Sequence, residues 1–350
     1  MRNHFPILDH CLYLNTAYTA PLSSALSKWR LVDDLAYEKK GDLYKNEIEK
    51  DHFQAAIKAL ARFADAEVEN TFITGNFSSA FQNFLIHLPR DFRFLVLEDE
   101  YPSLTGIIAD LGFESHTLPI SANIEEAVWN ELHKASYNVL TLSVIQYTSG
   151  IFFDMTWLVK MKKAFPNLII LVDGTQFLGA ELFSLRKSPI DAVFGSTYKW
   201  LLAGYGTGYA AIKSSILSQL GLSLSKLSVT YDRGQLSVKA VGSLGFSLNQ
   251  IMAAGFPALI RQKQVLANCM FEGLKKRVLL TDLVAKRERH SSIYNLQITE
   301  EVYQGLLARN VRCIKRGNGV RVAVHYYNNQ QDINAFLQII DDLLKQQHFL

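Results

Sequence analysis

Three polar residues follow two predicted strands near the middle of the chain, and their types suit one kind of ligand. Asp173 comes at the end of an apolar run that begins at Leu168, and a second short strand predicted over 191–194 is followed by Ser196 and Lys199. Short apolar runs of this kind are typical of strands buried on both faces. Ligands of open α/β sheets bind beyond the carboxyl ends of the strands, so we expect these three side chains to share one crevice. An acid, a hydroxyl and a lysine suit a ligand with a basic ring nitrogen, a phosphate and an aldehyde.

The elements around this crevice alternate between strands and helices, which predicts an α/β fold with a large, doubly wound and mainly parallel sheet. A long helix predicted over 247–277 leads into a smaller C-terminal α+β region, whose last helix carries a clear apolar stripe from Ile333 to Leu344. We therefore expect three parts: an N-terminal segment over 1–20, a large domain over 21–250 and a small domain over 251–350.

Pyridoxal phosphate has all three groups that the crevice suits, and two motifs make the match more specific. The segments Val172-Asp-Gly-Thr-Gln176 and Gly195-Ser-Thr-Tyr-Lys-Trp200 resemble those of the fold-type-I pyridoxal-phosphate enzymes, in particular the class V aminotransferase family. That family includes cysteine desulfurases, kynureninases and isopenicillin-N-epimerase-like proteins. The resemblance covers nearly the whole chain, from Tyr13-Leu14-Asn15 to Tyr327-Asn328.

The resemblance gives roles to three residues of the crevice. Lys199 would form the Schiff base with the cofactor aldehyde, whereas most lysines simply lie on the surface. An ammonium group cannot attack an aldehyde, so burial or neighbouring positive charge must keep this amine neutral. Asp173 would pair with the ring nitrogen, and Gln176, three residues later, would donate to the ring hydroxyl oxygen.

Phosphate ligands are expected from several places in the chain. A helix that starts at Ser78-Ser79 would present free backbone N–H groups, although a serine N-cap explains the same pattern. The resemblance adds the hydroxyls of Ser196 and Tyr198. It also implies that Ser243, in a Gly242-Ser243 pair like the family's Gly-Thr, reaches the phosphate of a partner subunit. The expected assembly is then a homodimer with shared active sites.

Three further residues are candidates for contacts with the cofactor face or the substrate. Tyr101 precedes Pro102 where the family stacks a ring on the pyridine, although a tyrosine there also anchors loops. Arg321 resembles the arginine that grips the substrate α-carboxylate, which its planar fork suits, and a salt bridge at a strand end is the alternative. Asn15 belongs to a segment that resembles one crossing the mouth of the active site, and a short edge strand is the alternative.

The expected substrate is a free amino acid, with Lys199 as general base and acid at its α-carbon. Aminotransferase chemistry is the family's default and is our expectation, while a kynureninase-like β-lyase and an epimerase stay open. Desulfurases need a nucleophilic thiol on a loop before the arginine. Cys313 instead falls in a strand predicted over 311–314. Desulfurase or selenocysteine-lyase activity is therefore disfavoured.

Composition narrows the classes of partner. The formal net charge of the 350-residue chain is only +3 and its basic residues are scattered, which argues against a nucleic-acid-binding stripe. No apolar run of about 18 residues and no apolar signal-peptide core are present, so we expect no membrane contact. The 3 widely spaced cysteines fit a reducing cytoplasm.

Two functions of other classes fit the sequence less well than a pyridoxal-phosphate enzyme. A nucleotide-dependent oxidoreductase needs a helix after its glycine motif, but Gly204-x-Gly206-x-Gly208 precedes a predicted strand. A cofactor-free binding module on the same fold is expected to lack Lys199 or Asp173, and the chain has both.

Overall fold

The computed structural model describes residues 2–347. The strands of this range are β1 (Leu12–Tyr13), β2 (Thr71–Thr74), β3 (Arg93–Leu97), β4 (Glu114–Leu118), β5 (Val139–Ser143), β6 (Ile169–Asp173), β7 (Ala192–Ser196), β8 (Gly208–Ile212), β9 (Ile293–Leu296), β10 (Val311–Arg312), β11 (Ile314–Arg316) and β12 (Gly319–Ala323). The α-helices are α1 (Ser24–Lys40), α2 (Asp42–Tyr44), α3 (Lys50–Ala64), α4 (Phe77–Leu85), α5 (Pro102–Asp110), α6 (Ile124–Lys134), α7 (Met155–Ala164), α8 (Ser214–Gln219), α9 (Leu224–Tyr231), α10 (Val238–Ala253), α11 (Phe256–Lys276), α12 (Asp282–Ala285), α13 (Glu300–Ala308) and α14 (Gln330–Gln347). Short 3₁₀ turns cover Arg2–His4, Pro6–Asp9 and Val68–Asn70, and a π turn covers Lys45–Glu49.

The central sheet has seven strands in the order β2-β8-β7-β6-β5-β3-β4. Strands β3 to β7 are parallel to one another, while β8 runs antiparallel to both β7 and β2. The predicted α/β fold with a mainly parallel sheet is therefore confirmed.

Helices cover both faces of this sheet because its strands are apolar on both sides. Along β6, Ile170 and Val172 enter one buried cluster, while Ile169 and Leu171 enter the cluster on the other face. This alternation follows from the two-residue period of a strand. The apolar run that predicted β6 thus contributes side chains to the buried clusters on both faces of the sheet.

A second, antiparallel sheet in the order β11-β12-β9 lies in the C-terminal part of the chain and shares a third buried cluster with α11, α13 and α14. The N-terminal strand β1 pairs in parallel with β10, so the start of the chain is attached to this region. It then returns to the large sheet, where the N–H of Ala20 donates to the carbonyl of Tyr198 at 3.0 Å. The predicted N-terminal segment is thus an edge strand and also a neighbour of the crevice.

The prediction of a single helix over 247–277 is wrong. Two helices, α10 and α11, occupy this region and are bent by 79° at their junction. Gly255 lies between them with a φ of +79°, and Pro257 lies in the first turn of α11, where its missing N–H costs no hydrogen bond. The predicted domain boundary between residues 250 and 251 falls within the last turn of α10, four residues before Gly255, and stays a prediction.

No described helix is by itself long and apolar enough to cross a membrane, whereas α10 and α11 taken together as a bent pair meet that length and composition.

Candidate active site

A cavity of about 230 Å³ lies at the carboxyl ends of the central parallel strands. Ser143, Asp173 and Ser196 are the last residues of β5, β6 and β7, and all three line it. The side chains that form its wall are those of Asn76, Phe77, Ser78, Tyr101, Ser143, Tyr147, Asp173, Thr175, Gln176, Ser196, Tyr198 and Lys199. The structure therefore brings seven of the predicted site residues together: Ser78, Tyr101, Asp173, Gln176, Ser196, Tyr198 and Lys199.

Lys199 is buried, with 8% of its surface exposed, in the turn that follows β7. Burial lowers the pKa of its amine from 10.5 to about 7, and the positive charges of Arg321 and Arg316 act in the same direction while Asp173 opposes them. A large share of this amine is therefore neutral near pH 7, which is the form that attacks an aldehyde.

Asp173 is the acid of the cavity. Its Oδ1 accepts a hydrogen bond of 2.7 Å from the N–H of Thr175. Burial raises the pKa of its carboxyl group, and the hydrogen bonds from Thr175 and the charge of Lys199 only partly oppose this effect. A buried carboxylate in this state gains from a further cationic donor such as a protonated pyridine nitrogen.

Gln176 is held in place on both sides of its amide group. Its Nε2 donates to the carbonyl of Ala17 at 2.9 Å, and its Oε1 accepts from the indole N–H of Trp200 at 2.7 Å. One N–H of the amide remains for a ligand. These bonds also fix the N-terminal segment beside the cavity.

The first turn of α4 forms one end of the cavity. The side chain of Asn76 caps this helix by accepting from the N–H of Ser79 at 2.9 Å, and the N–H of Phe77 donates to Ser196 Oγ at 3.1 Å. No described residue accepts from the N–H of Ser78, which leaves this donor for an anion at the helix start. The N-cap of α4 is therefore Asn76, not the serine that the sequence pattern offered as an alternative to a phosphate site. Ser79 does not line the cavity, and its N–H is already used by the cap.

Gly208 allows the antiparallel strand β8 to pass this turn. A Cβ atom at Gly208 would lie 2.3 Å from the carbonyl carbon of Asn76, far inside van der Waals contact. Only glycine fits here, so the position of the α4 turn depends on it.

Three tyrosines, Tyr101, Tyr147 and Tyr198, complete the wall. The ring of Tyr101 meets that of Tyr147 edge-on, with centroids 5.6 Å apart. Tyr198 stacks on Tyr205 at 4.9 Å, and burial raises the pKa of its hydroxyl to about 12. Tyr198 therefore stays protonated and able to donate a hydrogen bond at neutral pH.

Arg321 and Asn15 lie outside the cavity wall. Arg321, on β12, is only 2% exposed and donates to the carbonyl of Tyr147, whose side chain does line the cavity. Among the described residues, Arg321 Nε and Asn15 Oδ1 are buried without a hydrogen-bond partner. Buried polar atoms are rarely left unpaired, so both positions suit contact with a ligand.

Ser243 lies in α10, away from the wall of this cavity. It lies in α10 with none of its surface exposed, accepts from Arg30 Nε at 2.9 Å and donates to the carbonyl of Lys239 at 2.6 Å. Its neighbour Gly242 makes room for the ring of Trp29, which would lie 2.4 Å from an added Cβ atom. The Gly242-Ser243 pair therefore serves the packing of α10, and the contact of Ser243 with the phosphate of a partner subunit stays a prediction.

Comparison with known proteins identifies the family. The model of the family described as aminotransferase class-V matches residues 50–336. The chain belongs to the class V aminotransferase family. Membership confirms the family inferred from the two motifs and, with it, the expected cofactor, pyridoxal phosphate.

Solved structures share the fold of this class V chain at low identity. A complex of the cystine C–S lyase C-DES with its product cysteine persulfide is 15% identical, with a TM-score of 0.85 over 96% of this chain and 99% of that one. The apo cysteine desulfurase from Thermococcus onnurineus NA1 is 16% identical, with a TM-score of 0.82 over 99% and 97%. The cysteine desulfurase CsdA from Escherichia coli is 16% identical, with a TM-score of 0.80 over 99% and 98%. These likenesses show the fold alone. No curated protein sequence matches the chain.

The thiol that bears on desulfurase chemistry is buried in this class V chain. Cys313 interrupts the strand predicted over 311–314, which the structure divides into β10 and β11. Burial raises the pKa of the Cys313 thiol to about 12, so it is not a thiolate at neutral pH.

Three polar residues at or beside the site, Glu100, Ser143 and Thr175, were not predicted from the sequence. Glu100 follows β3 and accepts from the N–H of Ser143 at 2.9 Å, from Ser143 Oγ at 2.5 Å and from Gln146 Nε2 at 3.1 Å. Burial raises the pKa of its carboxyl group to about 8. Thr175, beside Asp173, orients that carboxylate. Glu100 and Thr175 follow the strands β3 and β6, and Ser143 is the last residue of β5. A position at the end of a strand is the signal that identified Asp173.

Proposed function

We propose that this chain is a pyridoxal-phosphate enzyme that transfers the amino group of a free amino acid, with Lys199 as the residue that bonds to the cofactor aldehyde. The observation that supports this most strongly is that Lys199 and Asp173, predicted separately from two motifs, line one cavity of about 230 Å³. The neutral amine of Lys199 suits the aldehyde of the cofactor, and the buried carboxylate of Asp173 suits the ring nitrogen.

The residues of the cavity fit the cofactor group by group. Asp173 would hold the ring nitrogen, and the free N–H of Gln176 the ring hydroxyl oxygen. The phosphate would bind at the first turn of α4 through the N–H of Ser78, with the hydroxyls of Ser196 and Tyr198. Tyr101 would cover the ring face. When bound, pyridoxal phosphate supplies an electron sink for the substrate α-carbon.

The protein's own chemistry centres on the amine of Lys199. A group with a pKa of about 7 can take a proton from the α-carbon and return it at neutral pH. Arg321 would hold the α-carboxylate with its unpaired Nε and so orient the α-proton towards Lys199.

A homodimer is part of the proposal. Helix α1 exposes four large hydrophobic side chains, Leu31 (62%), Val32 (66%), Leu35 (43%) and Tyr37 (61%). The same helix reaches the site, because Arg30 donates to the carbonyl of Ala203 at 2.8 Å, two residues before the Tyr205 that stacks on Tyr198. A contiguous apolar face of this kind supports a partner subunit whose contact continues to the cavity.

We also propose a cytoplasmic location. The three cysteines, Cys11, Cys269 and Cys313, are all free in the structure, as is usual in a reducing compartment.

Product analysis tests the reaction. The cofactor-loaded protein is incubated with single amino acids and a 2-oxo acid acceptor. The proposal expects a new amino acid and one equivalent of the donor's oxo acid, without free ammonia. Release of ammonia with pyruvate would replace transamination by β-elimination, and racemised substrate alone would indicate epimerisation. Lys199→Ala should abolish turnover, while Lys58→Ala, an exposed lysine of α3, should not.

A further inference from the structure

Two arginines of the small sheet project from the same face. In the antiparallel pair β11–β12, Ile314 lies opposite Arg321 and Arg316 lies opposite Gly319. Side chains two residues apart on a strand share a face, so Arg316 and Arg321 are diagonal neighbours across the ladder. Gly319 lies opposite Arg316, and its missing side chain makes room for Asn295, whose Oδ1 would lie 1.9 Å from an added Cβ atom.

Neither guanidinium group has an acidic partner in the described part of the chain, whereas other arginines such as Arg277 and Arg287 are paired with Asp341 and Glu125. The Nε atoms of Arg316 and Arg321 are both buried without an acceptor. Burial, and next the charge of Arg316, lower the pKa of Arg321 to about 10. Two unpaired positive charges this close are costly unless an anion joins them.

The pair lies beside the cavity. Arg321 donates to the carbonyl of Tyr147, a residue of the cavity wall. The guanidinium of Arg316 lies over the ring of Tyr18, 5.4 Å from its centroid, in the N-terminal segment beside the cavity. Besides burial, the charges of both arginines lower the pKa of Lys199, which places them within electrostatic reach of the reacting amine.

We propose that Arg316 and Arg321 form a site for two anionic groups, so that the substrate is an amino acid with a second carboxylate. Arg321 takes the α-carboxylate and Arg316 takes the second one. This inference rests on the proposed function and extends it to a substrate class. The second carboxylate has two possible sources, namely an acidic side chain, as in aspartate and glutamate, or the far end of a disulfide-linked amino acid, as in cystine.

Binding of matched acidic and neutral amino acids tests the inference. The dissociation constants of glutamate against glutamine, of aspartate against asparagine, and of cystine against alanine are measured from the spectral change of the cofactor-loaded protein. We expect the dicarboxylic member of at least one pair to bind about ten- to a hundredfold more tightly, the usual effect of a charge-assisted hydrogen bond. The pair that shows the preference identifies the source of the second carboxylate.

Variants then locate the preference. Arg316→Gln should remove it by weakening the dicarboxylic member far more than the neutral member, and Arg316→Lys should restore part of it because the charge returns without the planar fork. Arg321→Gln should weaken both members of a pair equally. Lys315→Gln is the matched control, because Lys315 lies opposite Val320 on the other face and is paired with Glu300. It removes the same charge and should leave the preference unchanged.

Calorimetry with glutarate and butyrate tests the two-anion site separately from the proposed enzyme function. Neither ligand has an amine, so neither can react with the cofactor. A preference for glutarate that Arg316→Gln removes supports the two-anion site, with or without the cofactor bound. Equal binding of glutarate and butyrate by the wild-type protein, together with no dicarboxylic preference in any of the three amino-acid pairs, overturns the inference, and so does a preference that survives in Arg316→Gln. The proposed function fails separately if no amino acid changes the spectrum of the wild-type protein, or if Lys199→Ala responds like wild type.

Discussion

Capture of pyridoxal phosphate by the cofactor-free chain should depend on pH through Lys199, because only the neutral amine bonds to the aldehyde. The pKa of Lys199 is about 7 instead of 10.5, a difference of about 3.5 units. At pH 7 about half of the Lys199 amines are neutral, compared with about one in 3,000 for an exposed lysine. The capture rate should therefore rise as the pH increases and level off just above neutrality.

Two variants should move this midpoint in opposite directions. Arg321→Gln removes a positive charge that lowers the pKa of Lys199, so its midpoint should lie at higher pH. Asp173→Asn removes a negative charge that raises this pKa, so its midpoint should lie at lower pH. Lys315→Gln, on the outer face of the hairpin, should behave as wild type.

Stopped-flow absorbance of the growing visible band gives the rates, and the same reaction with Nα-acetyl-lysine corrects for the cofactor's own ionisations. A wild-type midpoint above about pH 9 would show that Lys199 titrates as an ordinary lysine. Unchanged midpoints in both charge variants would show that neighbouring charges do not act on it. Either result would refute the electrostatic reasoning.

Three further predictions concern the rest of the site. Asp173→Asn should weaken cofactor binding about ten- to a hundredfold in equilibrium dialysis, since a charge-assisted hydrogen bond becomes a neutral one, and unchanged affinity would contradict the role of Asp173. Gly208→Ala should lower the free energy of unfolding in urea by about 1–3 kcal/mol and weaken cofactor binding, because its Cβ would meet Asn76. Gly106→Ala, a helical glycine with open space around it, should instead raise that free energy by about 0.5–1 kcal/mol. Cys313→Ala should keep full turnover, whereas a tenfold loss would restore the case for desulfurase chemistry.

The core of the site was predictable because it depends on a rule about strand ends. Asp173 and Ser196 end buried apolar runs, Lys199 follows one of them, and the crossover topology brings those ends to one edge of the sheet. The same rule applies to Glu100 and Ser143, which follow or end β3 and β5 but carry no distinctive motif. The edge strand β4 was missed because four of its five residues are exposed, so it shows no apolar run.

Other positions could not be predicted because they depend on packing. The type of Ser243 suits a phosphate ligand, but only the contacts of α10 show that its hydroxyl is buried against Arg30. The role of Ser79 depends on where α4 begins, and Asn76 takes the capping position. The bend at Gly255 did have a local signal, since Gly-Phe-Pro is a poor helix interior, but the apolar pattern continues on both sides of it.

The central claim is that pyridoxal phosphate bonds to Lys199, and peptide mapping tests it most directly. The cofactor-loaded protein is reduced with borohydride, digested and analysed by mass spectrometry. The account predicts loss of the visible band and a phosphopyridoxyl group on the peptide that contains Lys199. This group should be absent from Lys199→Ala and should stay on the Lys199 peptide in Lys58→Ala. A phosphopyridoxyl group on any other lysine, with Lys199 unmodified, would contradict it.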